Sequence, residues 1–119
     1  MNYNIKKTVA VVGGRDFTDY ERMAKILNTV KYKVSSFVSG GAKGADQLAE
    51  RYATINRLDI KIFKPDWDTF GKKAGFLRNQ DIVKEADVVI AFWNGISKGT
   101  RHTIELAKEN NKQLKVYNY

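Results

Sequence analysis

Residues 37–46 constrain the fold of this chain more than any other segment, because an apolar run stops at paired glycines and then restarts as a helical pattern. Such a segment predicts a buried strand, a tight turn and a helix N-terminus in direct succession. The start of a helix presents unpaired N–H groups that attract anions, and glycines let a ligand approach the backbone closely. The turn therefore suits a phosphate or another anion, although it has neither the Walker A nor the G-x-G-x-x-G spacing.

Strand-like segments alternate with helical patterns along the whole chain. The strand segments span residues 8–12, 36–39, 59–63, 87–92 and 113–117, and most are continuous apolar runs typical of strands buried on both faces. Apolar residues at i, i+3, i+4 and i+7 predict helices over residues 23–30 and 45–52. Because parallel neighbours need crossover helices on the faces of the sheet, we predict a doubly wound parallel α/β sheet of five strands with helices on both faces.

Length and composition predict one domain, residues 1–119, with a core of its own. The chain has no cysteine and one histidine, which excludes thiolate chemistry and typical transition-metal sites, so Mg²⁺ carried in with a nucleotide is the metal that fits. The chain shows no signal peptide and no membrane-spanning stretch, which predicts a cytoplasmic protein without a membrane partner. The net charge of +8 is dispersed along the sequence. Two interpretations of this charge therefore stay open: an ordinary solvated surface, or a surface that attracts anions.

Polar or glycine-marked turns follow the first four strands, and ligands of open α/β sheets bind at that edge. The candidate ligand-binding residues in these turns are Gly13, Gly14, Arg15, Gly40, Gly41, Lys43, Gly44, Asp46, Trp67, Asn94, Ser97, Gly99 and Thr100. Helix capping by Ser97, Thr100 or Asp46 and core packing by Trp67 are the structural alternatives. Residues 66–71, around Trp67, are predicted to form a loop. A bulky residue at Gly44 is expected to block a phosphate while leaving the fold largely intact, and the alternative is that this glycine has a positive φ and its replacement destabilises the fold.

Arg78 and Asn79 complete the candidate site. Asn79 heads an apolar stripe with i, i+3, i+4 and i+7 spacing, which places Arg78 beside the sheet edge. An arginine there can bind a carboxylate or phosphate through two hydrogen bonds, or else extend into solvent. The serines have only His102 as a potential base, and that histidine is expected at the surface, so the catalytic residues stay unassigned.

Five motifs in this order resemble the SLOG superfamily, and in particular its small branch of YspA- and YpsA-like proteins from bacteria and phages. They are VVGGRDF from residue 11, SGGAKGAD from residue 39, GFLRNQ from residue 75, ADVVIAFW from residue 86 and SKGT from residue 97. The resemblance implies a Rossmann-like fold and a nucleotide or nucleotide-derived ligand such as ADP-ribose. Relatives include Lonely-Guy phosphoribohydrolases, sensors of ADP-ribose-like signals, and Smf/DprA proteins that bind single strands.

The resemblance also assigns roles to the candidate residues. It implies that Gly40, Gly41, Gly44, Gly99 and Thr100 hold phosphate, and that Arg15, Asp46, Arg78 and Asn79 contact ribose or charge. Arg78 matches the catalytic arginine of the Lonely-Guy enzymes, whereas Thr103 stands where those enzymes carry a glutamate. Hydrolysis in that style therefore lacks its carboxylate.

Three functions follow from these observations. A sensor or sequestering module for a nucleotide-type small molecule ranks first, with a homo-oligomer expected through apolar contacts of Phe76, Trp93 and Tyr119. A hydrolase or transferase acting on the N-glycosidic bond of a nucleotide ranks second. Binding of single-stranded nucleic acid is the less favoured hypothesis, because Trp67, Phe70 and Trp93 are interleaved with apolar residues and form no basic stripe.

Overall fold

A computed structural model describes residues 6–119 and contains a parallel sheet of five strands. The strands are β1 (Lys7–Gly13), β2 (Val34–Ser39), β3 (Asp59–Ile62), β4 (Val88–Trp93) and β5 (Gln113–Asn118). They lie in the order β3-β2-β1-β4-β5, and all neighbouring pairs are parallel. The prediction of a parallel α/β sheet is confirmed, with strand ends within one or two residues of those predicted.

Helices connect the strands. They are α1 (Tyr20–Asn28), α2 (Ala45–Ile55), α3 (Trp67–Phe70), α4 (Ala74–Glu85) and α5 (Lys98–Glu109), with 3₁₀ turns at Lys31–Lys33 and Gly71–Lys73. The predicted first helix extended to Val30, but α1 ends at Asn28, where the N–H groups of Thr29 and Val30 bond to the carbonyls of Ile26 and Leu27 in a tighter turn. Among residues 6–119, no helix has the length and hydrophobicity needed to cross a bilayer.

The prediction of a loop over residues 66–71 is wrong, because part of this segment forms the single helical turn α3. The Asp66 carboxylate accepts a hydrogen bond from the Thr69 N–H at 3.1 Å, and the Phe70 N–H donates to the Asp66 carbonyl at 3.0 Å. An aspartate at this position stabilises a helix start by satisfying an otherwise unpaired amide. The turn ends at Gly71, whose φ of 57° lies in the left-handed region that glycine tolerates.

Two apolar layers cover the sheet, one on each face. Helices α1 and α2 pack Met23, Leu27 and Tyr52 against one face, whereas α4 and α5 pack Ile82 and Ile104 against the other. Alternate residues of β1 contribute to opposite layers, as expected for a strand buried on both sides. The prediction of helices on both faces is therefore confirmed.

The strand order creates a crevice at one edge of the sheet. From β1 the chain proceeds outward through β2 to β3, then crosses back to place β4 on the other side of β1. The connections that leave β1 and β4 therefore diverge to opposite faces of the sheet at their carboxyl ends. Open α/β sheets bind their ligands at this kind of switch point.

Candidate functional site

A cleft of about 430 Å³ opens at the carboxyl edge of the sheet, at the switch point between β1 and β4. Its walls come from the turns after β1 and β4, the start of α2, and the facing sides of α4 and α5. The predicted residues that line it are Gly13, Gly14, Arg15, Asp46, Arg78, Asn79, Asn94, Ser97, Gly99 and Thr100. Segments that are distant in sequence, from the end of β1 to the first turns of α5, thus meet around one space.

Other predicted residues do not line this cleft. Gly40, Gly41, Gly44 and Lys43 belong to the turn after β2 but lie outside the lining, and Trp67 is an exposed residue of α3. The lining also includes Asp16, Ala42 and Thr103, which the sequence analysis did not identify as ligand contacts. Val12 and Ile82 provide apolar lining.

The glycine turn after β2 encloses one of the chain's own carboxylates. Asp46 is 5% exposed, and its Oδ2 accepts a hydrogen bond from the Ala42 N–H at 3.1 Å. Burial raises the pKa of Asp46 to about 6. Four neighbouring groups lower this pKa but do not offset the effect of burial: the Ala42 amide, the Arg78 charge, the Ser39 hydroxyl and the Gly40 backbone. A phosphate entering this turn would compete with Asp46 for the same donors.

Close packing explains two glycines of this turn. A Cβ at Gly40 would lie 2.5 Å from Arg78 Nη1 and 2.8 Å from Asp46 Oδ2. Gly44 has a φ of 79°, and a Cβ there would overlap the Gly14 carbonyl oxygen, to which the Ala45 N–H donates at 3.1 Å. The expectation that a bulky residue at position 44 leaves the fold largely intact is therefore wrong, because its side chain would overlap backbone atoms of Gly14 and Arg15.

Arg78 extends from α4 to the turn after β2. Its Nη1 donates to the Gly40 carbonyl at 2.8 Å, and its Nε donates to Asn79 Oδ1 at 3.0 Å. Burial lowers the pKa of Arg78, while the Asp46 charge raises it and the Arg15 charge lowers it further. These bonds hold a half-buried guanidinium at the cleft wall in one orientation.

Asn79 connects Arg78 to α5. The Asn79 amide is 6% exposed, and its Nδ2 lies 3.2 Å from His102 Nδ1 and donates to the Gly99 carbonyl at 3.4 Å. Burial lowers the pKa of His102, although Glu105 and Glu109 raise it. The expectation of an exposed His102 is wrong: its ring is partly buried and packs edge-on against Phe76, with 4.6 Å between centroids.

Side chains in the turn after β4 fold that turn and begin α5. Asn94 Oδ1 accepts hydrogen bonds from the N–H groups of Ile96 at 2.8 Å and Ser97 at 2.9 Å. Ser97 Oγ caps the helix by accepting from the Thr100 N–H at 3.3 Å. A Cβ at Gly99 would meet nothing within 4 Å, so the first turn of α5 borders open space.

Asp16 joins the first turn to the end of β5, a pairing that no local pattern indicated. The Tyr119 hydroxyl donates to Asp16 Oδ1, and Asn94 Nδ2 donates to Asp16 Oδ2 at 3.4 Å. The bond from Tyr119 keeps the pKa of Asp16 below its usual range, and burial with this same bond raises the pKa of Tyr119. These contacts fix the rim of the cleft beside Gly14, where a Cβ would overlap the Tyr119 hydroxyl.

The cleft contains no histidine in its lining and no carboxylate at the start of α5. Thr103 lies there instead, and its hydroxyl donates to the Gly99 carbonyl at 3.2 Å. Within residues 6–119, no three acidic or histidine side chains are grouped so that they could hold a metal ion. A Mg²⁺ ion accompanying a nucleotide stays a prediction.

Comparison with known proteins assigns this chain to a family. Residues 7–70 match the model of YAcAr, described as the YspA, cpYpsA-related SLOG family. The chain belongs to this SLOG family. It is also 36% identical to the Gene 61 protein of Mycobacterium phage D29, in an alignment that covers 87% of this chain and 90% of that protein. The resemblance inferred from the five motifs is thus confirmed, and the relative is a phage protein.

Two solved structures share the fold of this SLOG protein. DNA processing protein A from Helicobacter pylori, described for its single-stranded DNA binding mode, has a TM-score of 0.75 at 21% identity, over 95% of this chain and 66% of that one. DNA processing protein A from Streptococcus pneumoniae has a TM-score of 0.77 at 21% identity, over 94% of this chain and 50% of that one. The Rossmann-like fold is confirmed, and the chain spans two thirds or less of these proteins.

The expectation that nucleic acid is the less favoured partner is wrong. A protein of the same fold is described by its binding of single-stranded DNA. The expectation relied on the aromatic residues being part of the core, but Trp67 and Phe70 are 54% and 51% exposed. Trp93 fits the expectation better, because it is half-buried and its indole N–H donates to the Ser97 carbonyl at 3.1 Å.

Proposed function

We propose that this SLOG protein binds single-stranded DNA and seats a nucleotide unit of the strand in the cleft. The observation that carries the proposal is the cleft itself, in which Arg15 and Arg78 converge with hydroxyl and amide side chains at the switch point of a fold shared with DNA processing protein A. Guanidinium groups suit phosphates because they donate two parallel hydrogen bonds. Hydroxyl and amide groups can pair with sugar and base edges.

Charge outside the cleft favours an extended polyanion. The chain carries a net charge of +8, and Lys43, Lys98 and Arg101 are exposed on the turns and helix that border the cleft. A strand that contacts several such residues releases counterions at each, which adds affinity that a single free nucleotide cannot gain to the same degree. We therefore expect binding that weakens steeply with salt.

A free nucleotide, such as a nucleoside phosphate or ADP-ribose, is the second candidate. The cleft volume of about 430 Å³ favours it, because small-molecule pockets typically enclose about 300–1,000 Å³. Both candidates use the same groups for one nucleotide unit. They differ in whether the neighbouring phosphates of a strand contribute to affinity.

Fluorescence anisotropy with labelled oligo-dT tests the proposal. We expect binding at low salt, competition by unlabelled strand, and an affinity that falls linearly in a plot of log affinity against log salt. Arg15→Gln should weaken binding about three- to tenfold and reduce the salt slope by about one. Arg57→Gln removes the same charge after the far end of α2 and is the matched control.

The competitors separate the two candidates. If mononucleotides or ADP-ribose raise the melting temperature while oligo-dT neither binds nor competes, the free-nucleotide candidate replaces the proposal. If Arg15→Gln and Arg57→Gln weaken strand binding equally, the strand is held by diffuse charge and the cleft is not its site.

A further inference from the structure

Three exposed aromatic side chains lie on α3 and on the first turn of α4. Trp67, Phe70 and Phe76 are 54%, 51% and 53% exposed, in contrast to Phe37 and Phe92, whose exposure is 0%. Isolated exposed aromatic residues are ordinary on a protein surface. Here three occur within ten residues, on two helices that pack against each other, and we call Trp67, Phe70 and Phe76 the aromatic platform.

The aromatic platform is linked to the cleft wall indirectly, through α4 and His102. The Trp67 ring lies over the first turn of α4, where a Cβ at Gly75 would be 3.5 Å from Trp67 Cη2. Phe76 packs against His102 at 4.6 Å, and His102 contacts Asn79 in the cleft wall at 3.2 Å. A strand leaving the cleft past His102 would meet Phe76.

Charge around the platform fits an anionic partner. Lys64, Lys72 and Lys73 are exposed, flank α3 in sequence and outnumber the two acids of the segment, Asp66 and Asp68. Of these acids, Asp66 accepts the Thr69 N–H as a helix cap at 3.1 Å. Flat apolar rings among lysines suit a ligand that combines aromatic faces with phosphates, as single-stranded nucleic acid does.

We propose that Trp67, Phe70 and Phe76 stack against bases of a DNA strand whose neighbouring nucleotide occupies the cleft. This inference rests on the proposed function. It adds that the bases of the strand, and not the phosphates alone, contribute to the binding affinity. Stacking tolerates any sequence because every base has a π face. The platform therefore predicts binding with little sequence preference.

Tryptophan fluorescence reports stacking directly. The chain contains two tryptophans, so Trp93→Phe leaves Trp67 as the remaining indole. We expect oligo-dT to quench its emission, and an abasic oligonucleotide of equal length, which carries phosphates and sugars alone, to bind without quenching. Quenching by both strands to the same extent would contradict base stacking.

Substitution of the platform provides the second measurement. The double variant Trp67→Ala, Phe70→Ala removes two half-exposed rings, so the fold should persist, as circular dichroism can check. We expect roughly tenfold weaker binding of oligo-dT and unchanged binding of the abasic strand. Tyr32→Ala is the matched control, since Tyr32 is 69% exposed on the 3₁₀ turn before β2 and should leave both affinities unchanged.

The outcomes distinguish this inference from the proposed function. If oligo-dT binds the wild type but shows no quenching and no loss in the double variant, the platform is wrong and the cleft proposal stands. If neither strand binds the wild type, both are overturned. If light scattering shows a dimer that the double variant dissociates, the rings are a subunit contact and the stacking inference is overturned.

Discussion

Two turns that lead into helices border the cleft, and they behave differently despite similar sequences. The turn before α2 contains Gly40, Gly41 and Gly44 and looks like the stronger anion site, yet its interior is taken by the buried carboxylate of Asp46. The turn before α5 has Gly99, and its side-chain cap leaves open space beside that glycine. A glycine can therefore mark a close approach of the chain to itself as readily as a ligand site. We expect a ligand phosphate to lie nearer to α5.

The largest expected effect contrasts the two turns directly by substituting a glycine in each. Gly44→Val should cost roughly 2–5 kcal/mol of folding free energy or prevent folding, because position 44 has a φ of 79° and its side chain would strike the Gly14 backbone. Gly99→Ala should leave stability unchanged or raise it by up to about 1 kcal/mol, since alanine favours the helix. Urea unfolding measures both. Equal stability losses at the two positions would contradict the comparison.

The next effect concerns the carboxylate that fills the first turn. The pKa of Asp46 is raised from 3.8 to about 6, so the unfolded chain loses this proton more readily than the folded chain. The free energy of unfolding therefore falls as the pH rises from about 4 to about 6, and it stays lower above that range. Asp46→Asn removes the ionisation. At pH 8 this substitution should raise the free energy of unfolding by at most about 3 kcal/mol. The gain is smaller by the stabilisation that the Asp46 charge obtains from Arg78, which the substitution also removes.

Denaturant titrations of wild type and Asp46→Asn at pH 4.5, 6 and 8 measure this difference. Asp87→Asn is a control at the opposite end of the sheet, where the carboxylate accepts the Thr8 N–H at 2.9 Å. If wild type and Asp46→Asn show the same pH dependence, the Asp46 carboxylate is not the group that titrates in this range.

The sequence predicted the fold well because the signals for it are local. Apolar runs, nearly continuous in most cases, identified the strands, and their alternation with helices predicted the parallel arrangement. The cleft was predicted in part, since turns at one sheet edge must converge. What was missed depends on contacts between distant residues: the Asp16–Tyr119 hydrogen bond joins positions 103 apart, and the exposure of Trp67 depends on the packing of α3 against α4.

A smaller effect is expected at the rim of the cleft. Tyr119→Phe removes the hydroxyl that donates to Asp16 and should raise the pKa of the Asp16 carboxyl toward its ordinary value. Carboxyl NMR titration of the two proteins measures the shift. Tyr117→Phe, two residues earlier and on β5, is the matched control and should leave the Asp16 titration unchanged. An unchanged titration in Tyr119→Phe would show that another group lowers the pKa of Asp16.

The smallest expected effect is on chemistry, and it depends on Thr103. Cleavage of an N-glycosidic bond needs a group that stabilises a developing oxocarbenium ion and activates water, which a carboxylate can do and a threonine hydroxyl cannot. The Thr103 hydroxyl also donates to the Gly99 carbonyl, so it is directed into the helix. We therefore expect AMP, GMP, CMP and UMP to release little or no free base, measured by chromatography over hours. Release faster than about 0.1 per second that Arg78→Ala abolishes would contradict this expectation, because typical enzymes turn over at about 1 to 10³ per second. In that case Asp16 or Asp46, the carboxylates that do line the cleft, would be the groups to substitute next.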